Sequence, residues 1–471
     1  MYNVMSPKAE EFISDEEIRE CLAYAEKNKN NREVIDQILE KAAKMKGISH
    51  KEAIVLLDCE LEDENEKIYA LARKIKEEFY GNRIVMFAPL YLSNYCINGC
   101  EYCPYHAKNH HIPRKKLTQE EIRQEVIALQ DMGHKRLALE AGEDPIHNPL
   151  EYILESIHTI YSIKHKNGAI RRVNVNIAAT TVENYRKLKE AGIGTYILFQ
   201  ETYNKKSYEQ LHPSGPKSDY AYHTEAMDRA MDGGIDDVGL GVLFGLNNYR
   251  YDFTGIIMHA EHLEAYKGVG PHTISVPRVR RADDIDPEVF DNGISDDTFA
   301  KIVACIRIAV PYTGMIVSTR ESQASRERVL NLGISQISGG SRTSVGGYTE
   351  EERPEDTSQF EVDDRRTLDE VVHWLMDLGY VPSFCTACYR AGRTGDRFMS
   401  LLKSKQIVNC CHPNALMTLK EYLEDYASPE TRAIGEALIK KELLTIPNKA
   451  VREKATAYIE NIHEGQRDFR F

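Results

Sequence analysis

The sequence predicts an α/β protein: a parallel (βα)8 barrel of the TIM type, with one helical extension before it and a mainly helical one after it. From residue 83 onward, short apolar runs alternate eight times with amphipathic helical patterns. The runs are rich in β-branched residues, which is typical of parallel strands buried on both faces. An open doubly wound sheet is the alternative, because it produces the same alternation.

Three regions follow from this pattern. Residues 1–82 are expected to form an N-terminal helical extension, residues 83–380 the barrel, and residues 381–471 a C-terminal extension. Within the first region, Ser14–Glu17 and Ser49–Glu52 have the residues of capping boxes, which begin helices.

The barrel elements are predicted in order along the chain. The strands are Ile84–Tyr91, Arg136–Glu140, Val173–Ile177, Thr195–Phe199, Asp237–Leu243, Thr273–Val276, Gly314–Ser318 and Ile334–Ile337. The helices are Thr118–Met132, Pro149–Lys166, Val182–Ala191, Tyr220–Asp232, Phe253–Tyr266, Asp296–Ala309, Arg326–Leu332 and Thr367–Leu378. The acidic stretch Gly347–Arg366, which contains Pro354, is predicted to be a loop.

Composition excludes several classes of partner. The formal net charge of −13 argues against nucleic acid, because phosphate binding needs a basic surface. The first residues are polar and acidic, and no apolar run approaches the ~20 residues of a membrane span, so we expect a cytoplasmic protein without a membrane partner. The 10 cysteines are then better interpreted as metal ligands than as disulfides.

The first group of cysteines lies just after the first predicted strand, where Cys96, Cys100 and Cys103 follow one another in one loop. Thiolates are soft ligands suited to iron–sulfur clusters, Cu(I) or zinc. A cubane cluster normally has four Cys ligands, so three would leave one iron open for a small molecule. Structural zinc or simply buried thiols are the alternatives, although the spacing fits zinc motifs poorly. Three histidines follow closely: His106, His110 and His111.

This run resembles the cluster loop of the radical S-adenosylmethionine (SAM) enzymes. In that family, three Cys bind a [4Fe-4S] cluster, and the amino and carboxylate groups of SAM complete the open iron. The ring of Tyr102 could then cover the nucleobase. Ala141, Gly142 and Glu143 are similar to the family's Gly-Gly-Glu segment, which holds the amino group of SAM, with Ala141 replacing the first Gly.

Other polar or small residues end the predicted strands, where the active sites of barrels lie. Asn176 ends the third strand, and Gln200 and Glu201 follow the fourth. By resemblance these residues would face the ribose and methionine parts of SAM. Gly241 in the fifth strand could leave a flat slot for adenine. For each residue alone, a hydrogen-bonded strand end or relief of crowding is an equally good interpretation.

Two arginines follow strands six and seven: Arg278 and Arg320. A guanidinium presents a planar fork that matches a carboxylate. Both are catalytic-site candidates for binding an amino-acid substrate, and Arg320 is preferred. An ordinary surface arginine is the alternative, and it applies more strongly to Arg278.

A second group of cysteines follows the barrel: Cys385, Cys388 and the adjacent pair Cys410 and Cys411. Zinc with His412 as fourth ligand is the alternative to a cluster. The run resembles the C-terminal motif of the radical SAM tyrosine lyases of [FeFe]-hydrogenase maturation, whose spacing selects Cys411.

That resemblance implies a second iron–sulfur cluster in a cluster-binding C-terminal extension, with an additional labile iron bound by a histidine. The matching position is His262, with His259 one turn away as the open alternative. It also implies that an electron from a low-potential donor cleaves SAM, and that L-tyrosine is then split into p-cresol and dehydroglycine. Dehydroglycine becomes carbon monoxide and cyanide, captured on iron. The implied partners are the other hydrogenase maturation proteins.

Two other functions remain open. The tyrosine lyase of thiamine synthesis would share the barrel and the first loop, but it does not need the second cysteine group. A non-catalytic iron–sulfur scaffold or carrier would leave the turn at Ala141–Glu143 and the polar strand ends unexplained.

Overall fold

Eight parallel strands close into a barrel in a computed structural model of the chain, which describes residues 1–349, 357–404 and 409–471. The strands are β1 (Arg83–Ser93), β2 (Arg136–Ala141), β3 (Arg172–Asn176), β4 (Tyr196–Glu201), β5 (Val238–Val242), β6 (Thr273–Ser275), β7 (Gly314–Val317) and β8 (Gln336–Ser338). Strand β8 pairs with β1 through Val85↔Gln336 to Phe87↔Ser338, which closes the barrel. The predicted barrel is therefore confirmed, and the open sheet is excluded.

All eight predicted strands are confirmed to within two residues at each end. The helices around them are Gln119–Asp131, Leu150–Ser162, Val182–Glu190, Lys205–Leu211, Tyr220–Thr224, Ala226–Asp232, Tyr249–Lys267, Asp296–Ala309, Gln323–Leu330 and Leu368–Asp377. The predicted helix Pro149–Lys166 is too long at its C-terminal end, because Lys164–His165 and Gly168–Ala169 form a small hairpin. Of the predicted loop Gly347–Arg366, residues 350–356 lie outside the described residues.

The N-terminal extension is helical, as predicted. Its helices are Ala9–Phe12, Asp15–Asn28, Arg32–Ala42, His50–Asp58 and Glu62–Tyr80. The Ser14 side chain accepts a hydrogen bond from the Glu17 amide, and Ser49 with Glu52 forms a complete capping box. The helix His50–Asp58 packs against the barrel helices Tyr249–Lys267 and Asp296–Ala309.

The C-terminal region covers the amino-terminal end of the barrel. Strand β9 (Val381–Ser383) pairs with the start of β1. The helices that follow are Ala387–Arg390, Gly395–Lys403, Cys411–Asp425, Pro429–Leu443 and Lys449–His463. Lys135 and Glu421 form a buried ion pair between the barrel and the helix Cys411–Asp425. In the part of the chain that the structure describes, no helix is long and apolar enough to cross a membrane.

Candidate active site and candidate metal centre

A cavity with about 1070 Å³ of empty space, part of it open to solvent, lies at the carboxyl ends of the strands. Ten of the predicted site residues line it: Cys96, Cys100, Tyr102, Cys103, Ala141, Gly142, Glu143, Asn176, Glu201 and Arg320. The structure thus brings together the three-cysteine loop, the turn after β2 and the preferred arginine, which come from distant parts of the chain.

Asn98 connects the cysteine loop to the turn after β2. Its Nδ2 donates to Glu143 Oε2 at 2.7 Å and contacts Cys96 Sγ at 3.7 Å, and its Oδ1 accepts from the Lys217 amide at 2.9 Å. Gly142 lets the two backbones approach, because a Cβ at this position would lie 2.3 Å from the Tyr95 carbonyl oxygen. The loop and the turn therefore form one fixed wall of the cavity.

The three thiols are too far apart to bind a single tetrahedral ion as they are placed. Sulfur ligands of one zinc ion lie about 3.8 Å apart. Among the residues that the structure describes, the only three His, Cys, Asp or Glu ligand atoms that all lie within 4.8 Å of one another belong to a group outside this loop. Burial raises the pKa of the Cys100 thiol, and it raises that of Cys103 to about 11, so both need a bound cation to hold them as thiolates.

A buried ion pair, Glu201 with Lys217, also lines this cavity. Glu201 lies at a β-bulge in β4 with a φ of 68°, and its Oε1 accepts from Lys217 Nζ at 2.8 Å. Burial opposes the charged amine, but its negative neighbours, Glu201 first among them, together outweigh burial and raise the pKa of Lys217. Tyr102 OH lies 2.8 Å from His212 Nε2, which holds the Tyr102 ring in place.

Arg320 and Glu140 face the cavity from β7 and β2. The Arg320 guanidinium stacks on Phe360 at 3.5 Å from the ring centre. Glu140 Oε2 accepts from Asn176 Nδ2 at 2.7 Å, and burial raises the pKa of Glu140 to about 8 against the attraction of Arg320. Among the described residues, no carboxylate lies within ion-pair distance of Arg320, so its fork faces the cavity without a protein anion.

Three predicted residues lie outside this cavity. Gln200 donates to Thr224 Oγ1 at 2.9 Å, and Gly241 makes room for Phe199, whose Cδ1 would lie 2.3 Å from a Cβ. Arg278 binds Glu321 and Asp296 and does not line the cavity.

A second cavity of about 760 Å³ of empty space lies at the amino-terminal end of the barrel. Cys385, Cys388 and Cys411 line it, whereas Cys410 does not. Cys388 Sγ lies 3.8 Å from Cys411 Sγ, and this hydrogen bond lowers the pKa of Cys388. His412, the zinc ligand of the alternative, instead lies 3.3 Å from Glu442.

Polar and basic side chains also line the second cavity. Arg136 Nη2 donates to the Cys385 carbonyl oxygen at 2.8 Å, and Arg172 lies beside Asp237. His272 faces the same space, and burial lowers its pKa to about 4, so its imidazole is in the neutral form that binds metals. Its Nδ1 has no hydrogen-bond partner in the described structure and lies 3.4 Å from Asp237.

The structure does not bring His262 or His259 to this cavity. The His262 ring is buried and stacks on Phe12 at 3.8 Å; its Nδ1 bonds the Val4 carbonyl oxygen at 2.7 Å and its Nε2 bonds Asp228 at 3.0 Å. His259 Nδ1 lies 2.9 Å from Tyr203 OH. Both ring nitrogens of His262 are therefore already used.

Sequence reasoning missed several cavity residues: Asn98, Glu140, Lys217, Phe360 and His272. Glu140 had a signal, because it occupies the inward position of β2 two residues after Ala138. His272 directly precedes β6, at the strand end opposite to the one where active sites are expected.

The chain matches two family models and several known proteins. The radical SAM superfamily model matches residues 90–257, and the Biotin and Thiamin Synthesis associated domain matches residues 275–381. The crystal structure of HydG, a maturase of the [FeFe]-hydrogenase, is 57% identical with a TM-score of 0.95, covering 98% of this chain and 100% of that chain. HydG from Carboxydothermus hydrogenoformans is 39% identical with a TM-score of 0.82, covering 96% and 99%. The 2-iminoacetate synthase of Salmonella typhimurium is 30% identical over 346 residues, covering 73% of this chain and 89% of that protein.

The chain belongs to the radical SAM superfamily, whose cluster loop and barrel it contains. Within that superfamily, its similarity to the hydrogenase maturase HydG extends over nearly its whole length, which confirms the resemblance that the two cysteine motifs predicted. Membership implies a [4Fe-4S] cluster with SAM at the first cavity.

Proposed function

We propose that this protein is a radical SAM lyase that cleaves the Cα–Cβ bond of L-tyrosine to p-cresol and dehydroglycine, and converts dehydroglycine to CO and cyanide bound on iron. The observation that carries the proposal is the arrangement of one barrel with cysteine groups at both ends, one of them beside an arginine fork. The products would supply the other [FeFe]-hydrogenase maturation proteins.

In the first cavity, Cys96, Cys100 and Cys103 would hold the cluster, and Glu143 would meet the amino group of SAM. Bound together and reduced by a low-potential donor, the cluster and SAM would supply the radical chemistry that removes hydrogen from the substrate's amino group. The protein's part is to position the reactants and exclude water. Asn98 and Lys217 do so by fixing Glu143 and Glu201.

Tyrosine would lie between the SAM site and the barrel interior. The Arg320 fork would bind its carboxylate, and the Glu140–Asn176 pair would face its polar backbone atoms. The aromatic residues Tyr91, Tyr105 and Phe360 supply an apolar wall for the phenol ring. The charge-assisted hydrogen bonds between the Arg320 guanidinium and the substrate carboxylate would also fix the orientation of the substrate.

We propose that the interior of the barrel connects its two ends. A third cavity, with about 690 Å³ of empty space, shares Glu140, Asn176 and Arg320 with the first. Four strands each contribute one residue to the third cavity and another, two positions away, to the second cavity. Residues two positions apart point to the same face of a strand, which here is the barrel interior. These pairs are Phe87 and Val85, Ala138 and Arg136, Ile316 and Gly314, and Ser338 and Gln336. A small dehydroglycine could pass between these layers without entering solvent.

At the second cavity, Cys385, Cys388 and Cys411 would hold the other iron–sulfur cluster. We propose His272, rather than His262, as the ligand of its additional labile iron, because His272 lines this cavity with a neutral imidazole. The cationic Arg136 and Arg172 would attract anionic ligands such as cyanide.

One assay separates the proposal from its alternatives. Cluster-loaded protein is given SAM, dithionite and tyrosine, and p-cresol, cyanide and CO are measured. We expect all three. p-Cresol without CO would favour the tyrosine lyase of thiamine synthesis, and no p-cresol would favour a non-catalytic scaffold.

A further inference from the structure

A third group of metal-ligating side chains lies outside both cavities, in the N-terminal extension. In the described ranges, Glu17, Cys21 and His50 are the only three His, Cys, Asp or Glu residues whose ligand atoms all lie within 4.8 Å of one another. Glu17 and Cys21 are one turn apart on the helix Asp15–Asn28, and His50 begins the helix His50–Asp58 that packs against it. The proposed lyase reaction uses none of them.

The spacing of these atoms fits one tetrahedral ion. Glu17 Oε1 lies 3.2 Å from His50 Nε2 and 3.5 Å from Cys21 Sγ. A zinc ion with ordinary Zn–N, Zn–O and Zn–S bond lengths separates its N and O ligands by about 3.3 Å and its S and O ligands by about 3.5 Å. The side chains would need little movement to bind zinc in place of the protons that now bridge them.

The orientation of His50 also fits a metal ligand. Glu261 binds it twice: its Oε2 lies 2.7 Å from His50 Nδ1, and its Oε1 accepts from the His50 amide at 2.8 Å. Metal-binding histidines characteristically donate their other ring N–H to a carboxylate. Here that contact turns Nε2 towards Glu17 and Cys21. Glu261 belongs to the barrel helix Tyr249–Lys267, so an ion would fasten the extension to the barrel.

Burial and charge agree with this geometry. Cys21 is 1% exposed, whereas the Glu17 side chain is 26% exposed, so one side of the group can admit solvent. The described hydrogen bonds and ion pairs of Glu17, Cys21 and Glu261 involve neither Lys nor Arg. A thiol, an imidazole and a carboxylate together suit zinc.

We propose that Glu17 Oε1, Cys21 Sγ and His50 Nε2 bind one Zn²⁺ ion, with water or the second Glu17 oxygen as fourth ligand. Binding displaces the Cys21 thiol proton and any proton on His50 Nε2 to solvent, with no change of oxidation state. The ion is structural: it joins two N-terminal helices to each other and, through the contact of His50 with Glu261, to the barrel.

The test uses the full chain with both iron–sulfur clusters reconstituted, so that the cluster cysteines are occupied. The protein is dialysed against micromolar Zn²⁺ and desalted, and its zinc is measured by mass spectrometry and by zinc-edge X-ray absorption. We expect one zinc per chain, with one sulfur at about 2.3 Å and lighter ligands at about 2.0–2.1 Å. Cys21→Ser and Glu17→Gln should lose the zinc, and Glu261→Gln should weaken its binding about 10- to 100-fold.

Cys59→Ser is the matched control, because Cys59 is a buried thiol at the end of the helix His50–Asp58 and lies outside the group. It should retain zinc as the wild type does. Absence of zinc from the wild type, a sulfur-free zinc shell, or equal zinc retention in the Cys21→Ser and Glu17→Gln variants would overturn the proposal. Should Cys21→Ser fail to fold, the partly exposed Glu17→Gln and the wild-type absorption spectrum decide the question.

Discussion

Replacement of Arg320 tests how the protein binds the carboxylate of its substrate. Arg320 lines the first cavity with no described carboxylate within ion-pair distance, and Phe360 stacks on its guanidinium at 3.5 Å. A hydrogen bond to a charged group contributes about 1.5–3 kcal/mol. Because about 1.4 kcal/mol corresponds to a factor of ten, Arg320→Gln should lower kcat/KM for tyrosine about 10- to 100-fold.

The assay compares p-cresol release from tyrosine and from tyramine, which lacks the carboxylate. The wild type should prefer tyrosine strongly, and Arg320→Gln should lose most of that preference. Arg320→Lys keeps the positive charge but lacks the planar fork, so its preference for tyrosine should lie between those of the wild type and Arg320→Gln. Arg281→Gln is the control, since Arg281 is exposed and pairs with Asp286. If the ratio of p-cresol release from tyrosine to that from tyramine is the same in Arg320→Gln as in the wild type, Arg320 does not bind the substrate carboxylate.

Three further predictions concern the two ends of the barrel. Cys411→Ala should release p-cresol but no CO, whereas Cys96→Ala should stop both; equal loss of p-cresol in the two variants would contradict separate roles. His272→Ala should lower the iron content per chain, whereas His412→Ala is the control, because His412 pairs with Glu442. Equal iron content in the two variants would show that His272 is not an iron ligand. Burial raises the pKa of Glu140 from 4.5 to about 8, so the folded state holds a proton that the unfolded state releases. Without SAM, the free energy of urea unfolding should therefore fall as the pH rises from 4.5 to 8, by at most about 1.4 kcal/mol per pH unit from this group, and the slope should shrink in Glu140→Gln.

The barrel was predictable because its signals are local. Each strand is a short apolar run, and each major helix has a 3.6-residue pattern, so their order along the chain specifies the fold class. The three-cysteine loop and the turn at Ala141–Glu143 were predictable for a related reason. Both follow strands, and a barrel brings the loops after its strands to one mouth.

The remaining site residues depend on tertiary contacts that no local pattern contains. Phe360 reaches the cavity from a loop held by hydrogen bonds such as the one from Thr343 Oγ1 to its carbonyl oxygen at 3.0 Å. Arg278 and Arg320 look alike in sequence. In the structure Glu321 and Asp296 pair with Arg278, whereas Arg320 faces the cavity. His262 was predicted from the family resemblance alone, and no local pattern shows that its helix faces the N-terminal extension rather than the cysteines.

The most direct test of the proposed function is the fate of SAM and tyrosine in the presence of the reduced, cluster-loaded protein. We predict that 5′-deoxyadenosine and p-cresol form together when tyrosine is present, and that neither forms in Cys96→Ala. Intact SAM in the wild-type protein, or SAM cleavage without any p-cresol, would contradict the account.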